Sequence, residues 1–169
     1  ASIPDAKQNI LLDKKELAEH VTIVDLIRND LSQVASNVSV NRFRYVEEVR
    51  TRSKNLFQVS SEICGDLEGD YRASIGDIIV KLLPAGSVTG APKPKTVQII
   101  QNVEGEPRGF YTGVFGYFDG INLDSGVMIR FIEKRGDKYF YRSGGGITTQ
   151  SVVESEYQEA LNKVYVPVA

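Results

Sequence analysis

Two acidic pairs share one spacing. Glu16-Leu-Ala-Glu19 and Glu156-Tyr-Gln-Glu159 each set two carboxylates three residues apart, and on a helix such residues are neighbours, with about 5–6 Å between Cβ atoms. Carboxylates from two helices, with water completing the shell, suit Mg2+, a hard octahedral ion that takes only one or two protein carboxylates. Each glutamate also has a plainer reading: Glu16 belongs to a helix N-terminus, and Glu159 can pair with Lys163 one turn on. Glu156, Glu159 and Lys163 form one stripe beside an apolar face of Val153, Tyr157, Ala160 and Val164. That stripe either lines a cleft or stays solvated, with an ion pair worth roughly a few tenths of a kcal/mol.

The glycine-rich stretches offer a second kind of chemistry. Ser143-Gly-Gly-Gly146 ends a strand shortly before a helix, so its amides can approach an anion such as a carboxylate without Cβ hindrance; a flexible turn is the other reading. Gly86-Ser-Val-Thr-Gly-Ala-Pro-Lys93 is not a phosphate loop, because its glycine and lysine spacing is wrong and Pro92 lacks an amide. Arg130 alternates with Val127, Ile129 and Phe131; a buried guanidinium there needs a partner, either structural or an anionic ligand. His20 and Cys64 are each single, which leaves no Ser/His/Asp set and no structural zinc site. His20 is read as a packing or hydrogen-bonding residue.

These groups need elements to hold them. Residues 1–12 read as an irregular lead-in. Asp13 and Glu16 have the spacing of a capping box and open a helix to about Leu31, with Leu17, Val21, Val24 and Leu31 as its buried stripe. Residues 38–67 are extended. Residues 70–83 are helical, with Ile75, Ile78, Ile79 and Leu82 on one side, and Pro84 ends that helix. A loop over 84–93 follows, and Pro92 suits the first turn of a helix over about 92–102. Three strands come next (FYTGVFGYF, NLDSGVMIRFIEK, KYFYRSGGGI), separated by hairpin turns at Asp119-Gly120 and Arg135-Gly136-Asp137. Ser151-Val-Val-Glu154 has capping-box spacing before a last helix to about Tyr165. The expected architecture is one α+β unit over 1–169, an antiparallel β-sheet meander with helices packed against it.

Composition bounds the function. The 169 residues are 41% hydrophobic and 25% charged with a net charge of −2, which excludes a disordered chain and gives no generic affinity for nucleic acid or acidic membrane. No apolar run approaches the ~20 residues a spanning helix needs. One cysteine forms no internal disulfide, so a cytoplasmic location is expected. Met128 is the only methionine, so either an initiator has been removed or a segment precedes Ala1.

Six stretches then carry a family resemblance: AEHVTIVDLIRND (18–30), PAGSVTGAPK (84–93), RGFYTGVFGY (108–117), LDSGVMIRF (123–131), GGGI (144–147) and SEYQEALNK (155–163). In this order they resemble the chorismate-binding enzymes, and GSVTGAPK and GGGI are nearer the aminodeoxychorismate synthase component I branch than anthranilate synthase component I. The resemblance implies the C-terminal part of the anthranilate synthase component I-like fold. It implies that Glu19 and Glu159 bind Mg2+, with Glu16 and Glu156 beside them through water. Tyr111 and Arg130 would hold the enolpyruvyl carboxylate of chorismate, and Lys163 and the amides of Gly144, Gly145 and Gly146 would meet substrate. Thr89 would sit in the loop over the pocket.

The implied reaction aminates chorismate at C4 with ammonia from a glutamine amidotransferase (glutaminase) subunit or domain, towards 4-aminobenzoate and folate. Two departures from the family stand out. The branch's nucleophilic lysine, in a Pro-Ile-Lys-Gly-Thr-like segment, is expected upstream of Ala1, so the catalytic residue is not among these 169 and the segment alone would be incomplete, with apolar strand faces exposed. Phe57-Gln58-Val59-Ser60 stands where the family commonly has His-Leu-Val-Ser. Neither a phenyl ring nor an amide carries a proton as imidazole does, which favours amination over anthranilate formation. Anthranilate synthase and a non-catalytic module of the same fold are the alternative readings.

Overall fold

A computed structural model describes residues 3–50, 55–149 and 151–164. Its architecture is α+β, with every sheet antiparallel and helices between them. Where one unit was expected, the chain divides into two compact units, Ala1–Asn102 and Val103–Ala169. Among the described residues each sheet is a two-stranded pair, β1–β2 in the first unit and β3–β4 and β5–β6 in the second. No helix among the described residues is long and apolar enough to cross a membrane.

The first unit begins with a correction. Residues 3–12 are not an irregular lead-in but helix α1 (Ile3–Leu12). Asp5 in its first turn complements the free amides there. At the other end the Arg44 guanidinium donates to the carbonyls of Ile10 (3.3 Å) and Leu11 (3.1 Å). That cap comes from more than thirty residues away, so local pattern carries no trace of it.

Asp13 separates α1 from α2 (Lys14–Leu31) as expected, accepting the Glu16 amide at 3.0 Å. The expected apolar stripe of α2 is only partly covered: Val24 is 8% exposed, whereas Leu17 and Val21 stay open. The long strands β1 (Ser36–Arg50) and β2 (Asn55–Asp66) pair antiparallel, with register irregularities between Ser36 and Tyr45. Asn37 and Arg44, both at positive φ, lie in that irregular stretch. His20 meets this sheet, as anticipated for a hydrogen-bonding residue: Nε2 lies 2.7 Å from Ser61 Oγ and the ring is edge-on to Phe43. Partial burial, then the charge of Arg44, lowers the His20 pKa.

A 3-10 turn (Tyr71–Ser74) leads into α3 (Ile75–Leu82), which stops before Pro84 as expected. The 84–93 stretch is not all loop: it folds a helical turn, α4 (Gly86–Thr89), closed by Gly90 at φ 78°. Pro92 precedes α5 (Lys93–Glu104) rather than forming its first turn, and its carbonyl accepts from the Lys95 and Thr96 amides.

The second unit holds β3 (Val114–Phe118), β4 (Leu123–Val127), β5 (Phe131–Arg135), β6 (Lys138–Arg142) and α6 (Val153–Asn162). The turns fall where expected; at the first, the Asp119 carboxylate accepts the Ile121 and Asn122 amides. The meander is corrected to two hairpins. Backbone bonds run back from Met128 to Thr112 and Gly113, whereas from Phe131 the chain pairs forward with Arg142. Ile129 and Arg130 fall between the two ladders, so Arg130 is exposed rather than inside an apolar strand.

The capping box at Ser151 does not form either. Ser151 Oγ accepts the Thr148 amide at 2.9 Å, and Val152 takes the N-cap position of α6 without a side-chain bond. The expected end of that helix at Tyr165 lies outside the described residues.

The Asp13 cap gives the first test. Asp13→Ala should lower unfolding free energy by about 1 kcal/mol in urea titration, and Asp13→Asn should retain most of it.

Candidate functional site

The apolar face assigned to α6 packs only in part. Val153, Tyr157 and Val164 are largely exposed, and Ala160 is half-buried. Of the mixed-charge stripe, Glu156 and Lys163 are half-buried beside the glycine loop that leaves β6, and Glu159 is exposed. A Cβ at Gly145 would lie 3.7 Å from Glu156 Oε2 and 4.0 Å from Lys163 Nζ. Lys163 also pairs with Glu159, and its carbonyl accepts from the Tyr141 hydroxyl at 3.2 Å. The expected i,i+4 ion pair of the stripe is present, and Glu156 and Lys163 adjoin the glycine loop.

Gly144 is fixed more tightly. A Cβ there would overlap the Tyr111 hydroxyl, so the bare backbone is what lets that phenol reach the loop. Tyr111 is steadied from its own side. Glu104 grips Arg108 through two hydrogen bonds, at 2.8 and 2.6 Å, and the guanidinium stacks 5.4 Å from the Tyr111 ring centre. The hydrogen bonding from Arg108 holds the Glu104 carboxyl below its ordinary pKa against the opposing effect of burial. Thr112, the next residue, sits at φ 65°, a left-handed conformation costing a β-branched residue roughly 1–2 kcal/mol. Arg108 to its hydroxyl (3.2 Å) and Met128 to its amide (2.8 Å) hold it there.

Six residues predicted as site residues therefore converge within the second unit: Tyr111, Gly144, Gly145, Glu156, Glu159 and Lys163. Gly146 adjoins them along the chain with open space about it. Arg130 makes no ion pair among the described residues and is accessible to an anion. An ammonium beside unhindered amides and a phenol favours a carboxylate, and the adjoining glutamates supply the hard oxygen donors a divalent cation takes.

In the first unit, Glu16 is exposed on α2 and Glu19 is half-buried one turn later. Among the described residues no group of three or more His, Cys, Asp or Glu is gathered to hold a metal ion. Thr89 ends α4, its hydroxyl donating to the Ala85 carbonyl at 3.2 Å. A groove of about 480 Å3 along α2, lined by Val21, Val24, Arg28, Val40 and Phe43, contains none of the predicted site residues.

The loop bearing Thr89 is anchored by a residue that sequence reasoning missed. Asp30 Oδ2 accepts the Gly86 amide at 3.2 Å and Oδ1 pairs with Lys93 Nζ at 2.6 Å. Its partners are 56 and 63 residues away, and Asp30 lies off the apolar stripe of α2, so helical periodicity gives no signal for it. Gln58 is exposed on β2, bonding the Ser60 hydroxyl, which in turn donates to Glu47 at 2.6 Å. His20 bonds Ser61, an odd step from Gln58 and hence on the opposite face of the strand.

Comparison with known proteins sets these arrangements in context. Residues 4–169 match the family model described as chorismate binding enzyme. An uncharacterised PabA-like protein of Pasteurella multocida is 57% identical over 99% of this chain and 52% of its own length. Aminodeoxychorismate synthase component 1 of Bacillus subtilis is 39% identical over 92% of this chain and 33% of its own. The crystal structure of anthranilate synthase component I from Streptococcus pneumoniae superposes with a TM-score of 0.78 at 34% identity, covering 92% of this chain and 35% of that one. The chain thus spans at most about half the length of these relatives.

The two neighbouring glycines differ in a measurable way. Gly144→Ala should destabilise by about 1–3 kcal/mol through overpacking, and Tyr111→Phe in that background should recover part of the loss. Gly145→Ala, whose Cβ meets only ordinary contact distances, should unfold at nearly the wild-type urea concentration.

Proposed function

The chain belongs to the chorismate-binding enzymes, and on that premise we propose that the full-length protein is an aminodeoxychorismate synthase component I. It replaces the C4 hydroxyl of chorismate with an amino group, using ammonia from a glutaminase partner, in the route to 4-aminobenzoate and folate. One observation carries the substrate assignment: Lys163, Glu156 and the Tyr111 hydroxyl lie around the bare Gly144–Gly145 backbone of one loop.

Chorismate is a dianion. Lys163 and the glycine amides meet one carboxylate with charge-assisted hydrogen bonds. Tyr111 donates to the enolpyruvyl carboxylate, and Arg130 reaches the same group. The Lys163–Glu159 pair keeps the ammonium oriented before substrate arrives, so less ordering remains to be done at binding. The covalent nucleophile of the branch is assigned to the part of the full-length protein outside these 169 residues.

Magnesium is part of the proposal, because carboxylate oxygens are the donors it prefers. On α6 Glu159 would hold it, with Glu156 acting through water; on α2 Glu19 and Glu16 carry the same donors. When bound, the ion supplies a countercharge to the ring carboxylate and Lewis acidity.

The choice of amination over anthranilate formation rests on Phe57-Gln58, which stands where the family commonly has His-Leu. Neither side chain carries a proton as an imidazole does. Anthranilate synthase is the second reading, favoured by the match to the pneumococcal structure.

Product analysis decides between them. Full-length protein given chorismate, ammonia and Mg2+ should form aminodeoxychorismate without anthranilate fluorescence, and anthranilate as the product would reverse the assignment. In the same assay Glu159→Ala should raise the Mg2+ concentration for half-maximal rate at least about tenfold; an unshifted Mg2+ curve removes Glu159 from the metal site.

A further inference from the structure

Asp30, next to last in α2, is 7% exposed, and its two oxygens reach opposite ends of one loop. Oδ2 accepts the amide of Gly86, which opens α4; Oδ1 pairs with Lys93, which opens α5. Thr89 lies between these anchors. Gly86 is itself buried against the clasp: a Cβ there would stand 3.0 Å from Asp30 Oδ2 and 3.2 Å from Leu26 Cβ. The approach therefore admits glycine with least disturbance. A carboxylate removed from water is stable only while both partners stay in place, which commits the loop to one arrangement.

We infer that Asp30 is a positioning residue for substrate, fixing both ends of the 86–93 loop so that Thr89 is already placed when chorismate binds. The inference rests on the chorismate reading above, with Thr89 in the loop over the pocket as the family resemblance implies. A loop held at both ends has fewer conformations to lose on binding. Loosening it is felt mainly in the chorismate KM, since Asp30 reaches substrate only through the loop.

The test uses the full-length enzyme with chorismate as the varied substrate. Asp30→Asn keeps the shape and an acceptor for the Gly86 amide but removes the charge facing Lys93. It should raise the chorismate KM about tenfold, with kcat within about threefold of wild type. Lys93→Met should do the same, giving an independent readout if the Asp30 variant fails to fold, whereas Lys93→Arg should stay near wild type because it keeps the ion pair. Since Asp30 acts through the loop, Asp30→Asn combined with Thr89→Ala should cost little more than the larger single change. A KM within about twofold of wild type in both Asp30→Asn and Lys93→Met, or single effects that multiply in the double variant, overturns the inference. Those outcomes leave the chorismate reading standing if the wild type consumes chorismate; a wild type that does not consume it overturns both.

Discussion

A carboxylate taken out of water has to recover its solvation from the protein, and Asp30 recovers it from two places at once. The Lys93 ammonium and the Gly86 amide replace the lost water, and neither partner can leave without stranding a buried charge. That requirement ties α2 to the 84–93 segment. It also accounts for glycine at position 86 and for the helical turn where an open loop was expected, because the amide must point at the carboxylate. The geometry of the loop carrying Thr89 is set by this clasp more than by the loop's own residues.

The second unit depends on a comparable constraint, set by steric access instead of charge. Gly144 lets the Tyr111 hydroxyl lie against the chain, and Gly145 leaves room beside Glu156 and Lys163. Glu156 and Lys163 of the α6 stripe lie beside this loop, while Glu159 and most of the apolar face stay exposed. Helical periodicity identifies the two stripes but not which of their residues are covered, since that depends on what the helix meets. The bond from Tyr141 to the Lys163 carbonyl anchors the C-terminal end of α6, and the Lys163–Glu159 pair orients the charges along it.

Much of the fold was readable one element at a time. Asp13 starts α2 because a side-chain oxygen three residues before a free amide is a local device. The strands at 36–50 and 55–66, the helix at 75–82 and both turns of the second unit follow from equally local rules. The failures share a cause. Helix α1 ends on the Arg44 guanidinium, Ser151 bonds Thr148 instead of capping α6, and the strand through Arg130 breaks because the residues before and after it bond in opposite directions along the chain. In each, the partner that decided the element was not the one that local spacing points to.

The sequence by itself determined the chemistry available: paired glutamates, a lysine one turn on, a run of three glycines, and no ionisable ring in the Phe57–Ser60 stretch. These are properties of residue type and spacing, which survive without any fold. Tertiary structure decided which of them meet. It brought Glu156 and Lys163 beside Gly145, set Tyr111 on Gly144 and selected Asp30 as the anchor of a loop some sixty residues away. Burial makes such choices, because the need to satisfy a polar group arises only once the fold has taken it from water.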